Sequence, residues 1–374
     1  MDSLSPEELR RYARHLALPE FGRGGQEKAR RASVLVVGAG GLGSPMLLYL
    51  AAAGIGRIGI VDFDRVDETN LQRQVLYTIA DIGKPKAATA REKLLTLNPH
   101  IEVEVHEERL TSENALSIIS RYDIVADGTD NFPTRYLVND ACVLAGKVNV
   151  YASIFRFEGQ VSVFNFLEED GSRGPNYRDL FPTPPPPELV PNCAEGGVLG
   201  VLPGIIGSMQ ASEVIKVATG VGEPLSGRLF LFDAATFTTR TLKIRKDPNL
   251  VIDKLIDYEQ FCAPHPKAPV PQISVRELKK MMEEGANYQL IDVREPYEYD
   301  IANLGGELIP PDQIEQQAGR ISKDKKAILH CRSGKRSADA IRKLQQLGDF
   351  DNLYNLEGGI LAWAREIDLE MMQY

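Results

Sequence analysis

VLVVGAGGLGSPMLLYLAAAGIGRIGIVDFD, residues 34–64, is the stretch whose reading decides the fold. It reads strand, glycine turn, helix, strand. VLVVG is apolar without alternation, as a strand covered on both faces must be. Gly38, Gly40 and Gly43 make G-x-G-x-x-G at the mouth of the helix, and Asp62 closes the second apolar run. Such a turn lets backbone N–H groups approach a phosphate. The helix N-terminus favours the phosphate's charge, and an acid at the second strand's end suits a ribose hydroxyl. Alone, the motif says only that a nucleotide binds, and an NAD-dependent dehydrogenase satisfies it. The residues after Asp62 favour a different reading.

Around this unit the chain is of soluble, globular composition, with 43% apolar and 25% charged residues in 374. That length predicts two domains, or a large one with a smaller one attached. A formal net charge of −9 argues against a nucleic-acid binder. No apolar run reaches the length of a membrane span, and the polar start MDSLSPEELRRYARH is no secretory signal, so no membrane partner is expected and the cytoplasm is the expected compartment. Cys142, Cys193, Cys262 and Cys331 lie far apart without a C-x-x-C pair, which describes neither a disulfide scaffold nor a cysteine zinc site.

Upstream, Ser5-Pro6-Glu7-Glu8 starts a helix carrying Arg10, Arg11 and Arg14, and Phe21-Gly-Arg-Gly-Gly-Gln is expected to break it. Downstream, a polar loop runs from Asp64 through Asn70 to Arg73, on the edge where open α/β sheets bind ligands. A helical turn there points Asn70 and Arg73 the same way. Lys86 falls in the first turn of a helix, KAATAREKLLTLNP, where a cation opposes the helix dipole. An anion must compensate, and a triphosphate is one that does. Asp127, Asp130 and Asn131 occupy another strand-to-helix loop, where Asp130 could serve simply as a helix cap. Gly171 to Gly197 is proline-rich and reads as an irregular loop, ending near Cys193 just ahead of a helix. The domains are expected at 1–248 and 272–374, with 249–271 as linker. In the second, Cys331-Arg332-Ser333-Gly334-Lys335-Arg336-Ser337 follows a strand and opens a helix. Backbone N–H groups, the helix N-terminus and the Arg336 guanidinium all favour an anion on sulfur there.

These motifs carry two resemblances. Residues 272–374 resemble a rhodanese domain through IDVRE, C-x-x-G-x-R-S and GGILAWA, which implies that Cys331 carries a persulfide in a loop of Arg332, Ser333, Gly334, Lys335 and Arg336. Residues 1–262 resemble the MoeB/ThiF family of ubiquitin-activating-like adenylyltransferases through RYARHL, GAGGLGS, DFDRVDETNLQRQ, GKPKA, DGTDN and NCAEGGV. The fused order resembles the molybdopterin synthase sulfurylases. The resemblance implies an α/β fold: a Rossmann-like adenylation domain with a mixed sheet, plus a smaller α/β rhodanese domain. It implies ATP in the glycine turn of Gly38, Gly40, Gly41 and Gly43 with Gly41 against the phosphates, Asp62 on the ribose, and Asn70, Arg73 and Lys86 on the phosphates, with Asp64 and Asn131 also among the cofactor-binding residues. Asp130 is implied to hold magnesium, and Arg14 to reach the ATP of a partner subunit in a homodimer. Cys193 matches the family's crossover-loop cysteine.

The implied partner is a small ubiquitin-like sulfur carrier ending in Gly-Gly, whose C-terminus is adenylated and converted to a thiocarboxylate, with thiosulfate or a cysteine desulfurase supplying the sulfur. Many relatives bind structural zinc with two C-x-x-C pairs. Here Asn176-Tyr-Arg-Asp179 stands for the first and the second is missing, so no zinc is expected. Rival readings are an NAD-dependent oxidoreductase with a sulfur domain, and a scaffold that only docks the carrier through the proline loop.

Overall fold

The structure, a computed structural model, describes residues 4–185, 197–263, 269–348 and 350–373. The chain divides into two compact units, Met1–Pro264 and His265–Tyr374.

The first unit is built on an eight-stranded sheet. Its strands are β1 (Ser33–Val37), β2 (Arg57–Val61), β3 (Glu102–His106), β4 (Ile124–Asp127), β5 (Val148–Phe155), β6 (Glu158–Phe164), β7 (Arg228–Asp233) and β8 (Thr238–Lys243). They lie in the order β3-β2-β1-β4-β5-β6-β7-β8. Pairing is parallel from β3 to β5 and antiparallel from β5 to β8. The sheet is therefore mixed, as expected. The chain leaves β1 toward β2 on one side and returns on the other as β4. That reversal opens a crevice at the strands' carboxyl ends.

Val34 to Val36 are fully buried because helices cover both faces. The helices Gly43–Ala53 and Lys86–Leu97 share one core with β1, and Ala115–Ile119 and Phe132–Leu144 share another. Met46, Leu47 and Leu50 are wholly buried, and each contributes about 1.5–3 kcal/mol. The glycine turn is fixed by two steric demands. Gly38 has φ +92°, and a Cβ on Gly43 would run into the Gly38 carbonyl oxygen.

Three local expectations change. The glycine cluster at 22–25 lies inside a helix, Gly22–Arg31, because Gly25 packs against the Phe21 ring. Within the expected irregular stretch, Tyr177–Leu180 forms a helical turn, capped reciprocally by Asn176 and Asp179. Within the expected linker, Tyr258–Phe261 is helical and belongs to the first unit. Tyr258 is buried there and donates its hydroxyl to Asp140 at 2.8 Å. Asp140 also takes both arms of Arg178, at 2.8 and 2.7 Å, and the Arg178 guanidinium sits 4.7 Å from the centre of the Phe261 ring. Asp179 accepts the Asp247 N–H at 2.7 Å. These contacts, around a buried ion pair, join residues 176–181 to 247–261. Among the described residues no cluster of three or more His, Cys, Asp or Glu side chains is placed to hold a metal, and no helix is long and apolar enough to cross a membrane.

The second unit holds a five-stranded parallel sheet. Its strands are β9 (Gln272–Ile273), β10 (Tyr288–Asp292), β11 (Glu307–Leu308), β12 (Lys326–His330) and β13 (Leu353–Leu356), in the order β11-β10-β12-β13-β9. Central β12 is buried from Ala327 to His330 and delivers Cys331 at its carboxyl end.

Candidate functional site

In the first unit one pocket lies at the strand reversal. Its wall includes Gly38, Gly40, Gly41, Asp62, Asp64, Arg73, Gln74, Lys86, Asp130 and Asn131. Ala39 is held on both sides. Its N–H donates to Asp62 at 2.8 Å, and its carbonyl accepts the Tyr77 hydroxyl at 2.9 Å. Tyr77 also donates to the Lys86 carbonyl at 3.3 Å, so the glycine turn is tied to the start of the next helix. Burial pushes the Asp62 carboxyl up, while the N–H groups of Ala39 and Asp64 and the charge of Lys86 pull it down. Asp62 thus has a structural task in the turn beside any role toward a ribose.

The compensation expected at Lys86 is present within the chain. The Lys86 side chain is 6% exposed, and its ammonium lies 3.1 Å from Asp64, whose own side chain is 53% exposed. The buried cation is therefore balanced by a carboxylate that water reaches, a partner that an incoming phosphate can join or replace. Arg73 is half-buried in the wall and donates to the Thr69 carbonyl at 3.0 Å. Asn70 is not in the wall. Its side chain accepts the Asp67 N–H in a 3₁₀ turn, at 3.4 Å. Gly43 lies behind the wall, packed on Gly38.

The helix Phe132–Leu144 is capped by Asn131, which accepts the Thr134 N–H at 3.0 Å. That leaves Asp130 with no capping task. Its carboxylate is exposed in the pocket wall and makes no hydrogen bond or ion pair with the described residues. Asp127 is instead a buried strand-end residue that accepts the Thr129 N–H and hydroxyl. Arg14 lies outside the pocket, exposed on the helix Ala13–Leu16. Cys193 lies outside the described residues. The described chain resumes at Gly197, and Val198 lines the pocket. Sequence reasoning missed Phe63, Gln74, Glu108 and Arg109 as wall residues. Gln74 stood one residue from Arg73, a signal that was available.

In the second unit Cys331 is 1% exposed, and its Sγ accepts the Gly334 N–H at 3.1 Å and the Ser337 hydroxyl at 3.4 Å. The loop is held from outside. Ile360 and Leu361, in the first turn of the helix Gly359–Glu366, donate to the carbonyls of Cys331 and Arg332 at 2.9 and 3.1 Å. Arg336 starts from a strong partner, since both its arms reach buried Glu298, at 2.6 and 2.7 Å. The anion favoured on sulfur therefore rests first on the backbone N–H and the hydroxyl. Beneath lies a buried pair, with Arg294 donating to Asp292 at 2.9 and 3.1 Å from one nitrogen and 2.5 Å from another. Ser333 and Lys335 are exposed, and Arg332 is half-buried.

The two units are thus a Rossmann-like α/β domain with a polar pocket at its glycine turn, and a small parallel α/β domain around a nested thiol. A family model described as the ThiF family matches residues 12–252, and one described as a rhodanese-like domain matches residues 274–366. The chain belongs to the ThiF family and carries a rhodanese-like domain after it. Over 381 residues it is 50% identical to "Probable adenylyltransferase/sulfurtransferase MoeZ" of Mycobacterium tuberculosis, covering 100% of this chain and 97% of the relative. Over 263 residues it is 54% identical to "Sulfur carrier protein adenylyltransferase" of Thermus thermophilus, covering 68% of this chain and 97% of the relative. The crystal structure of E. coli MccB is similar in fold, with TM-score 0.58 at 22% identity, covering 68% of this chain and 74% of that one. These relatives give the oxidoreductase reading no support.

Proposed function

We propose that this chain is an ATP-dependent adenylyltransferase and sulfurtransferase that acts on a small ubiquitin-like sulfur carrier. The observation that carries the reading is one pocket wall that combines a glycine turn, the cations Arg73 and Lys86 among others, and Asp130, an acid without a partner among the described residues. A carboxylate oxygen at the carrier's C-terminal glycine attacks the α-phosphorus of ATP, and pyrophosphate leaves. Both reactants are anionic, so the demand is alignment and charge neutralisation, not a general base. Arg73 and Lys86 meet the phosphates, with Asp64 yielding Lys86 to them. Arg14 of a second subunit adds a cation in the homodimer this reading requires. Asp130, an exposed oxygen donor without a partner, fits magnesium, which protein sites hold through one or two carboxylates plus substrate phosphates. Bound there, the ion would offset phosphate charge.

Sulfur transfer follows at Cys331. The Cys331 thiolate attacks the outer sulfur of thiosulfate, releasing sulfite, or of a cysteine desulfurase persulfide, releasing that enzyme's thiol, and Sγ then carries a persulfide. One added S–S bond, about 2 Å long, carries the outer sulfur beyond the buried thiol. That sulfur attacks the acyl-adenylate carbonyl, AMP leaves, and an acyl disulfide joins carrier and enzyme. A second thiol, Cys193 in this reading, attacks Cys331 Sγ. It releases the carrier thiocarboxylate and leaves a disulfide between the two cysteines. The cytoplasm suits an ATP-consuming enzyme that depends on free thiols. The direct test is pyrophosphate release with ATP and a Gly-Gly-ended carrier. Release that depends on the carrier is expected, and none with several such carriers counts against the reading.

A further inference from the structure

We propose that a buried clasp on the helix Phe132–Leu144 shortens the tether of the second unit and so sets how often Cys331 meets the acyl-adenylate, a proposal that rests on the carrier reading above. The helix starts at the pocket, with Asp130 and Asn131 at its head. Tyr136 and Asp140 stand one turn apart on it, on one face, and both are buried. Each holds one of the residues 258–261. The Asp140 carboxylate accepts the Tyr258 hydroxyl at 2.8 Å, and the Tyr136 ring meets the Phe261 ring edge-on, with centres 5.2 Å apart. Arg178 closes the clasp. It is paired with Asp140, and its guanidinium lies 5.1 Å from the Tyr136 ring centre and 4.7 Å from that of Phe261. The Ser112 hydroxyl adds a bond to the Ile256 carbonyl at 2.7 Å. A buried ion pair commonly gains no stability over apolar side chains of the same volume, so what Arg178 and Asp140 add is a fixed geometry.

The second unit is anchored at its own start. Val270 is buried in its core, and the Pro271 carbonyl accepts the Asn355 N–H at 2.8 Å. Eight residues stand between Phe261 and Val270, and they reach at most about 30 Å. With residues 256–261 released, the nearest hold upstream is the Asp247 N–H on Asp179, and twenty-two residues separate Asp247 from Val270. The clasp therefore takes fourteen residues out of the tether. A tethered group reacts at an effective concentration that falls roughly as the −3/2 power of tether length once the tether spans the gap. Shortening the tether from twenty-two residues to eight then raises that concentration roughly four- to fivefold.

The test uses the full chain and two variants. One carries Ser112→Ala, Tyr258→Ala and Phe261→Ala together, which frees the segment. The other keeps the clasp and carries a fourteen-residue Gly-Ser insertion after exposed Ala263. The readout is the single-turnover rate at which a Gly-Ser-independent substrate, a Gly-Gly-ended carrier with ATP, magnesium and thiosulfate, joins Cys331, followed by mass spectrometry. Both variants should slow that step roughly four- to fivefold. Carrier-dependent pyrophosphate release and sulfur transfer from thiosulfate to cyanide, which each need one unit alone, should stay at wild-type rates. An insertion that leaves the joining step within about 1.5-fold of wild type overturns the proposal. So does a triple variant that joins at the wild-type rate while the insertion slows it. If the triple variant also loses pyrophosphate release it has unfolded, and the insertion alone decides. If wild type joins no carrier, the carrier reading itself fails. Trypsin cleavage after exposed Lys254 then still decides the clasp, because faster cleavage in the triple variant supports it and equal cleavage overturns it.

Discussion

The pocket of the first unit and the cysteine loop of the second both manage negative charge, in opposite ways. At the pocket the groups are provisional. Lys86 is buried, but its partner Asp64 faces water, and Asp130 has no partner among the described residues. At the loop the groups are committed. Cys331 already accepts two hydrogen bonds, Arg336 is locked to Glu298, and Arg294 to Asp292. On the proposed reading, the difference follows from what each receives. A triphosphate arrives with its own charge and must find cations it can take over. A persulfide forms in place, so its donors can be permanent.

The sharpest break in this comparison is to silence each site alone. Asp130→Ala should cut carrier-dependent pyrophosphate release roughly 1,000-fold while thiosulfate sulfurtransfer persists, and Cys331→Ala should do the reverse. Loss of both activities in either variant would point to unfolding instead. Next in size is the permanence of the loop. Glu298→Gln removes the charge that holds Arg336, and should cost the second unit about 1–3 kcal/mol. Urea unfolding followed through Trp363, the chain's one tryptophan and buried in that unit, reads this directly. An unchanged midpoint would mean the pair does not hold the loop.

Acid should loosen the same unit through His330. Burial pushes its imidazole down to about 4, while an unfolded histidine titrates near 6.5. Between those values the unfolded chain binds a proton that the folded one refuses. Stability is then complete above about pH 6.5 and falls as pH drops toward 4. The Trp363 transition should show that slope, and His330→Asn should flatten it. The smallest effect tests the provisional side. Asp64→Asn should lower the stability of the nucleotide-free protein by about 1 kcal/mol, and saturating ATP should remove that deficit. A deficit that ATP leaves untouched would show that phosphates do not take over Lys86.

What the sequence made legible was local. The run VLVVGAGGLGSP announced strand, turn and helix because apolar continuity and glycine spacing are read within a dozen residues. What it hid was pairing across the chain. Lys86 pointed to an anion, but the partner stood 22 residues earlier, at Asp64. Arg336 looked committed to sulfur because Glu298, 38 residues away, carries no mark of its role. Asp130 was open to a capping role until Asn131 proved to hold the cap. Phe63 and Arg109 come from different strand ends, and only the fold brings them together.

The central claim is that one chain joins both chemistries on one carrier. It is tested most directly by mass spectrometry of a Gly-Gly-ended carrier incubated with the enzyme, ATP, magnesium and thiosulfate. The account predicts a carrier thiocarboxylate with wild type, and none with Asp130→Ala or with Cys331→Ala. Thiocarboxylate formed by Cys331→Ala with thiosulfate as sole donor would contradict it.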